Sequence, residues 1–193
     1  MNQASASNDT ADRALLQRMA RGDRAALATL YHGYHGRLSR FLSRLTRRQD
    51  VIEEVVNDCF WVAWQHAGDF RGDARVSTWL MGIAYRCGLK ALRRQGDDLV
   101  DDAALPGLEG SSDPNEDREL RDLLDKALQH LSADQRVVGE LVYDVGHSPN
   151  EVAAILQCPL GTVKARLFHA RVKLLNVMPA LGGDHDARED RTP

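Results

Sequence analysis

The sequence has little of several things that mark familiar protein classes. Its three cysteines, Cys59, Cys87 and Cys158, stand far apart in 193 residues, with no CxxC pair and no even count. That excludes a disulfide framework and offers no zinc-ligand spacing, so each is expected as a small apolar residue in or near a helix core. No apolar run approaches the length that crosses a bilayer, and no membrane insertion is expected. The opening MNQASASNDTADR is polar and lacks the charged-then-apolar layout of a secretion signal, which points to a cytoplasmic location. No phosphate-binding glycine loop and no nucleophile–base pairing are present, so no catalytic residue, cofactor or small-molecule substrate is expected. His32 and His35 have an i, i+3 spacing that invites a metal, but no carboxylate stands at a complementary position nearby. Packing or surface histidines are the reading adopted.

What is present is charge, unevenly placed. A net charge of −3 would argue against nucleic acid if it were spread uniformly. From Asp97 to Asp117, however, there are eight acidic residues and no basic one, while Ala84 to Arg94 holds Arg86, Lys90, Arg93 and Arg94 with no acid. Because salt screens charges more than about 10 Å apart, local sign decides an electrostatic footprint.

The apolar pattern is helical throughout, and an all-α fold is expected. Residues 1–10 read as disordered, 11–95 as a first helical domain, 96–116 as a flexible acidic linker rich in Gly, Pro and Ser, 117–178 as a second helical domain, and 179–193 as a disordered tail. In the first domain, Leu38, Phe41, Leu42 and Leu45 face inward and Arg37, Arg40, Arg44, Arg47 and Arg48 outward. The helix from Asp50 to about His66 sets Val51, Ile52, Val55, Val56, Cys59, Val62 and Ala63 against an opposite face of Asp50, Glu54, Asn57, Asp58 and Gln65, with Trp61 among them. A tryptophan ringed by polar groups suits a protein contact, or it packs under a neighbouring loop. Phe70 to Val76 reads as a loop turning at Gly72-Asp73. The next helix, opening after Ser77, ends in the four cations above, an arrangement the helix dipole also favours.

The second domain closes on SPNEVAAILQCPLGTVKARLFHARVK, Ser148 to Lys173, which reads as a helix-turn-helix. Ser148 can cap the first helix, Pro149 fits the first helical position, and Glu151 can complete a capping box. Pro159 interrupts the periodicity. On the second helix, Val163, Leu167, Ala170 and Leu174 form one buried stripe, flanked by Lys164, Arg166, Arg171 and Lys173. Gly161, Thr162, Ala165 and His169 lie outward, small at the leading end. A helix seated in a major groove has this layout, and so does a solvated basic helix at the end of a bundle.

Taken together, three blocks in order resemble a bacterial RNA polymerase sigma factor of the extracytoplasmic-function (ECF) type, the fourth group of the sigma-70 class. They are VIEEVVNDCFWVAW (Val51 to Trp64), FRGDARVSTWLMGIAYRCGLKALRR (Phe70 to Arg94) and LSADQRVVGELVYDVGHSPNEVAAILQCPLGTVKARLFHAR (Leu131 to Arg171). The resemblance implies a subunit that binds core RNA polymerase and directs promoter-specific initiation by recognising −35 and −10 elements and assisting melting, with an anti-sigma factor as a further partner. It assigns Glu53, Glu54, Asn57, Asp58 and Trp61 to the polymerase clamp. Phe70, Arg71, Gly72, Asp73, Val76, Trp79, Arg86, Lys90, Arg93 and Arg94 fall to the −10 element, and Gly161, Thr162, Lys164, Ala165, Arg166, His169 and Arg171 to the −35 element. The acidic linker would run along the polymerase's basic interior. This chain departs from the family pattern at Asn57 and Asp58, which shorten the usual glutamine and glutamate, at Arg86 and Lys90, at Val76, and at Ala165 and His169, so relatives' promoter preferences do not transfer. A free-standing regulator using Ser148 to Lys173 alone, or a small metal hydrolase, are the competing functions.

Overall fold

In the computed structural model the described residues are 2–96 and 126–189, with side chains described over 9–96 and 126–177. They are helical with no strand among them. Helix α1 (Asn2–Met19) precedes a turn in which Gly22 takes φ +86, a conformation costly for other residues. Asp23 then caps α2 (Arg24–Leu42), its carboxylate accepting from the N–H groups of Ala25 and Ala26 at 2.9 and 3.2 Å. Helix α3 (Gln49–Gln65) leads through a single 3-10 turn (Ala67–Asp69) and a loop over 70–75 into α4 (Val76–Gln95). Gly96, at φ 70, ends α4 by a left-handed C-cap.

The first four helices bury the apolar stripes expected of them, with Phe41, Leu38, Val56, Cys59, Leu80 and Ala84 all essentially inaccessible. Gly88 marks the crossing of α4 over the end of α2. A Cβ there would stand 3.1 and 3.2 Å from methyls of Leu42 and Leu45, closer than packing normally allows. All three cysteines are free thiols, and burial pushes Cys59 well above the ordinary thiol range.

The second group begins with helical residues 126–129 and continues with α5 (Ala133–Gly139), opened by a capping box between Ser132 and Gln135. A π-helical turn (Glu140–Asp144) follows, then α6 (Pro149–Leu156) and α7 (Leu160–Glu189). This group docks on the first, mainly α6 against α4, and Val137, Leu141, Val152, Ile155 and Leu167 join one continuous apolar core with the first four helices. The rest of the expected linker and the start of the second domain, residues 97–125, lie outside the described residues.

Helix α1 runs from Asn2, within the stretch read as disordered, and Asp9 near its start accepts a hydrogen bond from the Val76 N–H at 2.8 Å. Helix α7 runs to Glu189. Arg44, placed outward by periodicity, is buried, because the second group covers it and supplies Glu140, whose carboxylate accepts from Arg44 Nε at 3.0 Å.

Candidate nucleic-acid and polymerase interface

The helix-turn-helix forms as the residues dictate. Ser148 Oγ accepts from the Glu151 N–H at 3.3 Å, and Glu151 reaches back to the Ser148 N–H at 2.8 Å, with Pro149 at the first helical position. Helix α6 ends at Leu156, three residues before Pro159: Gln157 takes a left-handed conformation (φ 51), and Pro159 then precedes α7. On α7, Val163, Leu167 and Ala170 are buried and Leu174 half-buried, while Gly161, Lys164, Ala165 and His169 face solvent.

The flanking cations are not equivalent. Lys164 has no ion-pair partner among the described residues. Arg166 is paired with Asp134 of α5. Arg171 lies over the Tyr143 ring, 5.7 Å from its centroid, and donates from Nε to the Tyr143 hydroxyl at 2.7 Å. Asp134 and Tyr143 are therefore part of this surface, and nothing local in the sequence marks them. Tyr143, Phe168 and Leu175 are exposed large apolar side chains on the same body.

On the first body, the loop over 70–75 carries exposed Arg71 and Asp73 at its tip, with Gly72 between them at φ +81. Phe70 folds its ring onto Trp79, 5.3 Å between centroids at 58°. Val76 does not belong to the loop's surface: it opens α4 and is fully buried, an anchor beneath the turn. Along α4, Arg86, Lys90 and Arg93 are exposed, and Arg94 is ion-paired to Glu54 of α3. Glu54, Asp58, Trp61, Lys90 and Arg94 line one cleft between α3 and α4, so the acidic face of α3 and the basic end of α4 adjoin.

The α3 face is exposed as its composition suggests. Trp61 is 61% accessible, which settles the alternative that it is packed away. Beside it runs an apolar groove lined by Leu27, Tyr31, Phe60 and Trp64. Asn57 accepts a hydrogen bond from the Tyr31 hydroxyl at 3.3 Å, and Glu53 faces His35 Nε2 at 3.1 Å, a carboxylate that sequence spacing alone does not bring to the histidine. No group of three or more metal-ligating side chains occurs among the described residues.

Between the two bodies, Arg75 and Thr78 of the α4 start hold Glu151 of α6. Burial alone would raise the Glu151 carboxyl, but hydrogen bonds from Arg75 and Ser148 outweigh it and hold the group down at about 2. His147, buried beside Thr78, is pushed down to about 4 by burial. Glu140 is pushed up to about 7, again chiefly by burial.

Comparison with known proteins fits this arrangement. Residues 30–101 match the family model "Sigma-70 region 2" and residues 121–174 match "Sigma-70, region 4". The chain is similar to the ECF RNA polymerase sigma-E factor of Escherichia coli, 29% identical over 188 residues, covering 91% of this chain and 98% of that protein. Its likeness to the Haemophilus influenzae protein of the same name is 30% identity over 183 residues, covering 88% and 96%. Among solved structures, the sigma factor RpoE of Bartonella quintana, in complex with the anti-sigma factor NepR, superposes with TM-score 0.60 at 28% identity, covering 79% of this chain and 96% of that one. CnrH, in complex with the cytosolic domain of CnrY, gives TM-score 0.62 at 24% identity, covering 88% and 98%, a likeness of fold. No helix among the described residues is long and apolar enough to cross a membrane. With both regions in order and a relative 30% identical along nearly its whole length, the chain belongs to the ECF RNA polymerase sigma factors.

Proposed function

We propose that this chain binds core RNA polymerase and directs initiation at its promoters, with the two helical bodies serving separate steps. The exposed face of α3, with Glu53, Glu54, Asn57, Asp58 and Trp61, docks on the polymerase clamp. The tip of the 70–75 loop and the cations of α4 receive the −10 element as it melts, and Phe70 with Trp79 forms the aromatic floor beneath the loop. Extruding a base there requires on the order of a few kcal/mol of unstacking free energy, which a fixed pocket and nearby cations can offset. The outward face of α7, with Gly161, Thr162, Lys164, Ala165 and His169, enters the −35 major groove, while Arg166 and Arg171 exchange their present partners for DNA. The chain contributes recognition and melting, and bond formation belongs to the polymerase, in the cytoplasm.

The observation that carries this reading is that regions 2 and 4 occur in order, each presenting exposed cations on its own helix. An anti-sigma factor as a third partner is supported by the RpoE–NepR complex, whose sigma chain this one resembles. Transcription of genomic promoter fragments by purified core polymerase, with and without the chain, tests the proposal. Transcripts with discrete new start sites are expected only when the chain is present, and identical transcript patterns in both reactions would remove the function.

A further inference from the structure

Helix α1 precedes the residues matched by the region 2 model, yet two of its side chains hold the loop after α3. Arg13 donates from Nη1 to the Gly72 carbonyl at 3.0 Å and from Nη2 to the Ala74 carbonyl at 2.9 Å, while its Nε donates to Asp9 at 2.6 Å. The other oxygen of Asp9 accepts the Val76 N–H at 2.8 Å, satisfying one of the free donors at the start of α4. The Arg13 guanidinium also lies 5.5 Å from the centroid of the Phe70 ring. One arginine and one aspartate thus touch Phe70, Gly72, Ala74 and Val76, most of the loop's length.

Helix α1 is itself firmly seated. Leu16 and Met19 are buried in the common core, and Asp12, nearly inaccessible, accepts a hydrogen bond from the Tyr34 hydroxyl of α2 at 2.5 Å. Gly72 fits this arrangement for two separate reasons. Its φ of +81 disfavours any side chain, and a Cβ there would lie 2.6 Å from Arg13 Nη1. A lysine at position 13 could not replace the arginine, because an ammonium lacks the planar fork that addresses two carbonyls and a carboxylate together.

We propose that Arg13 and Asp9 are positioning residues for promoter melting: they fix the 70–75 loop in its base-receiving shape before DNA arrives, so that the loop is not ordered at the expense of capture. The inference rests on the reading of that loop as the −10 melting element. A preformed site loses less freedom on binding than a mobile one, and small misplacements of a positioned group cost large factors in rate.

The test uses the full chain with core polymerase on a duplex promoter and on the same promoter carrying an unpaired −10 segment, with melting read by permanganate reactivity of the −10 thymines. Arg13→Lys and Asp9→Asn should slow melting of the duplex roughly ten- to a hundredfold. Polymerase affinity and transcription from the unpaired template should change far less. Gly72→Ala should give the same pattern, and Arg13→Ala combined with Gly72→Ala should be no worse than Gly72→Ala alone, since both act through one loop shape. The double variant Arg71→Ala/Asp73→Ala, at the loop tip, reports on the underlying reading. If the tip variant loses melting while Arg13→Lys melts duplex at the normal rate, the brace is wrong and the loop assignment stands. If the tip variant melts DNA normally, the loop assignment fails and takes the brace with it. Equal losses by Arg13→Lys on both templates, together with lost polymerase binding, would reduce Arg13 to a fold-stabilising residue and overturn the proposal.

Discussion

Arg75 and Glu151 meet through two parallel N–H···O bonds of 2.5 and 2.6 Å, joining the first turn of α4 to the first turn of α6 across the boundary between the two bodies. Thr78 adds a third bond to the same carboxylate at 3.0 Å, and Glu151 simultaneously closes the cap of its own helix. One side chain therefore serves both the local start of the helix-turn-helix and its docking on the first helical body.

Replacing Arg75 with alanine should loosen the docking by about 1–3 kcal/mol, the range for a charge-assisted bond left unmade. Glu151→Ala should cost about 1 kcal/mol more, because the Ser148 N–H also loses the carboxylate that completes the capping box. Hydrogen exchange of the α6 amides checks both. Equal protection in the two variants would mean that the cap and the interdomain bond are not additive contributions of the same carboxylate.

The docking should also respond to acid through His147. Thr78 of α4, Arg75 just before that helix, Glu151 of α6 and Arg37 of α2 surround it, and burial holds its pKa at about 4, below the ordinary histidine value of 6.5. The folded state keeps the imidazole neutral while the unfolded chain takes up a proton. Stability from this group is thus complete above about 6.5 and lost as pH falls through about 4. Glu140, raised to about 7, titrates in the opposite sense, so the measurement is a difference. The unfolding free energy of the wild type minus that of His147→Gln, from urea titrations, should fall by on the order of 1–3 kcal/mol between these limits. A pH-independent difference would mean that His147 is not buried neutral.

On the exposed α3 face proposed to meet the polymerase, Asn57→Arg with Asp58→Arg should abolish association with core polymerase while helix content and melting temperature hold, since both side chains are exposed. Retained association would remove this face from the polymerase contact.

On α7 the pairing of Arg166 with Asp134 changes what substitution will report. Lys164→Ala should weaken DNA binding uniformly across sequences and reduce the salt slope by about 1. Arg166→Ala should cost less than the about 1–3 kcal/mol of a base-reading arginine, because the free protein also loses its Asp134 pair. Asp134→Ala should strengthen binding. Filter binding at several salt concentrations separates the three, and an unchanged affinity for Asp134→Ala would mean that the pair does not compete with DNA.

Much of this architecture is legible in local chemistry. Ser148, Pro149 and Glu151 announce the start of α6, the Val163–Leu167–Ala170 stripe orients α7, and the polar ring around Trp61 marks an exposed face, all through interactions within a few residues. What is not legible depends on distant partners. Periodicity turns Arg44 outward because it knows one helix at a time, and only the arrival of Glu140 makes burial of that charge tolerable. Asp9 sits in a stretch whose composition suggests disorder and Arg13 just beyond it, and their partners are carbonyls and an N–H some sixty positions away. Arg166 and Arg171 read as unencumbered cations because Asp134 and Tyr143 reach them only in the folded body.

The most direct measurement is equilibrium association of the fluorescently labelled full chain with purified core RNA polymerase at low salt, with no other protein present. Saturable one-to-one binding, reversed by unlabelled chain and lost with the Asn57→Arg/Asp58→Arg variant, is the expected result. A wild-type chain that remains unbound at core concentrations well above those that support transcription would contradict the account.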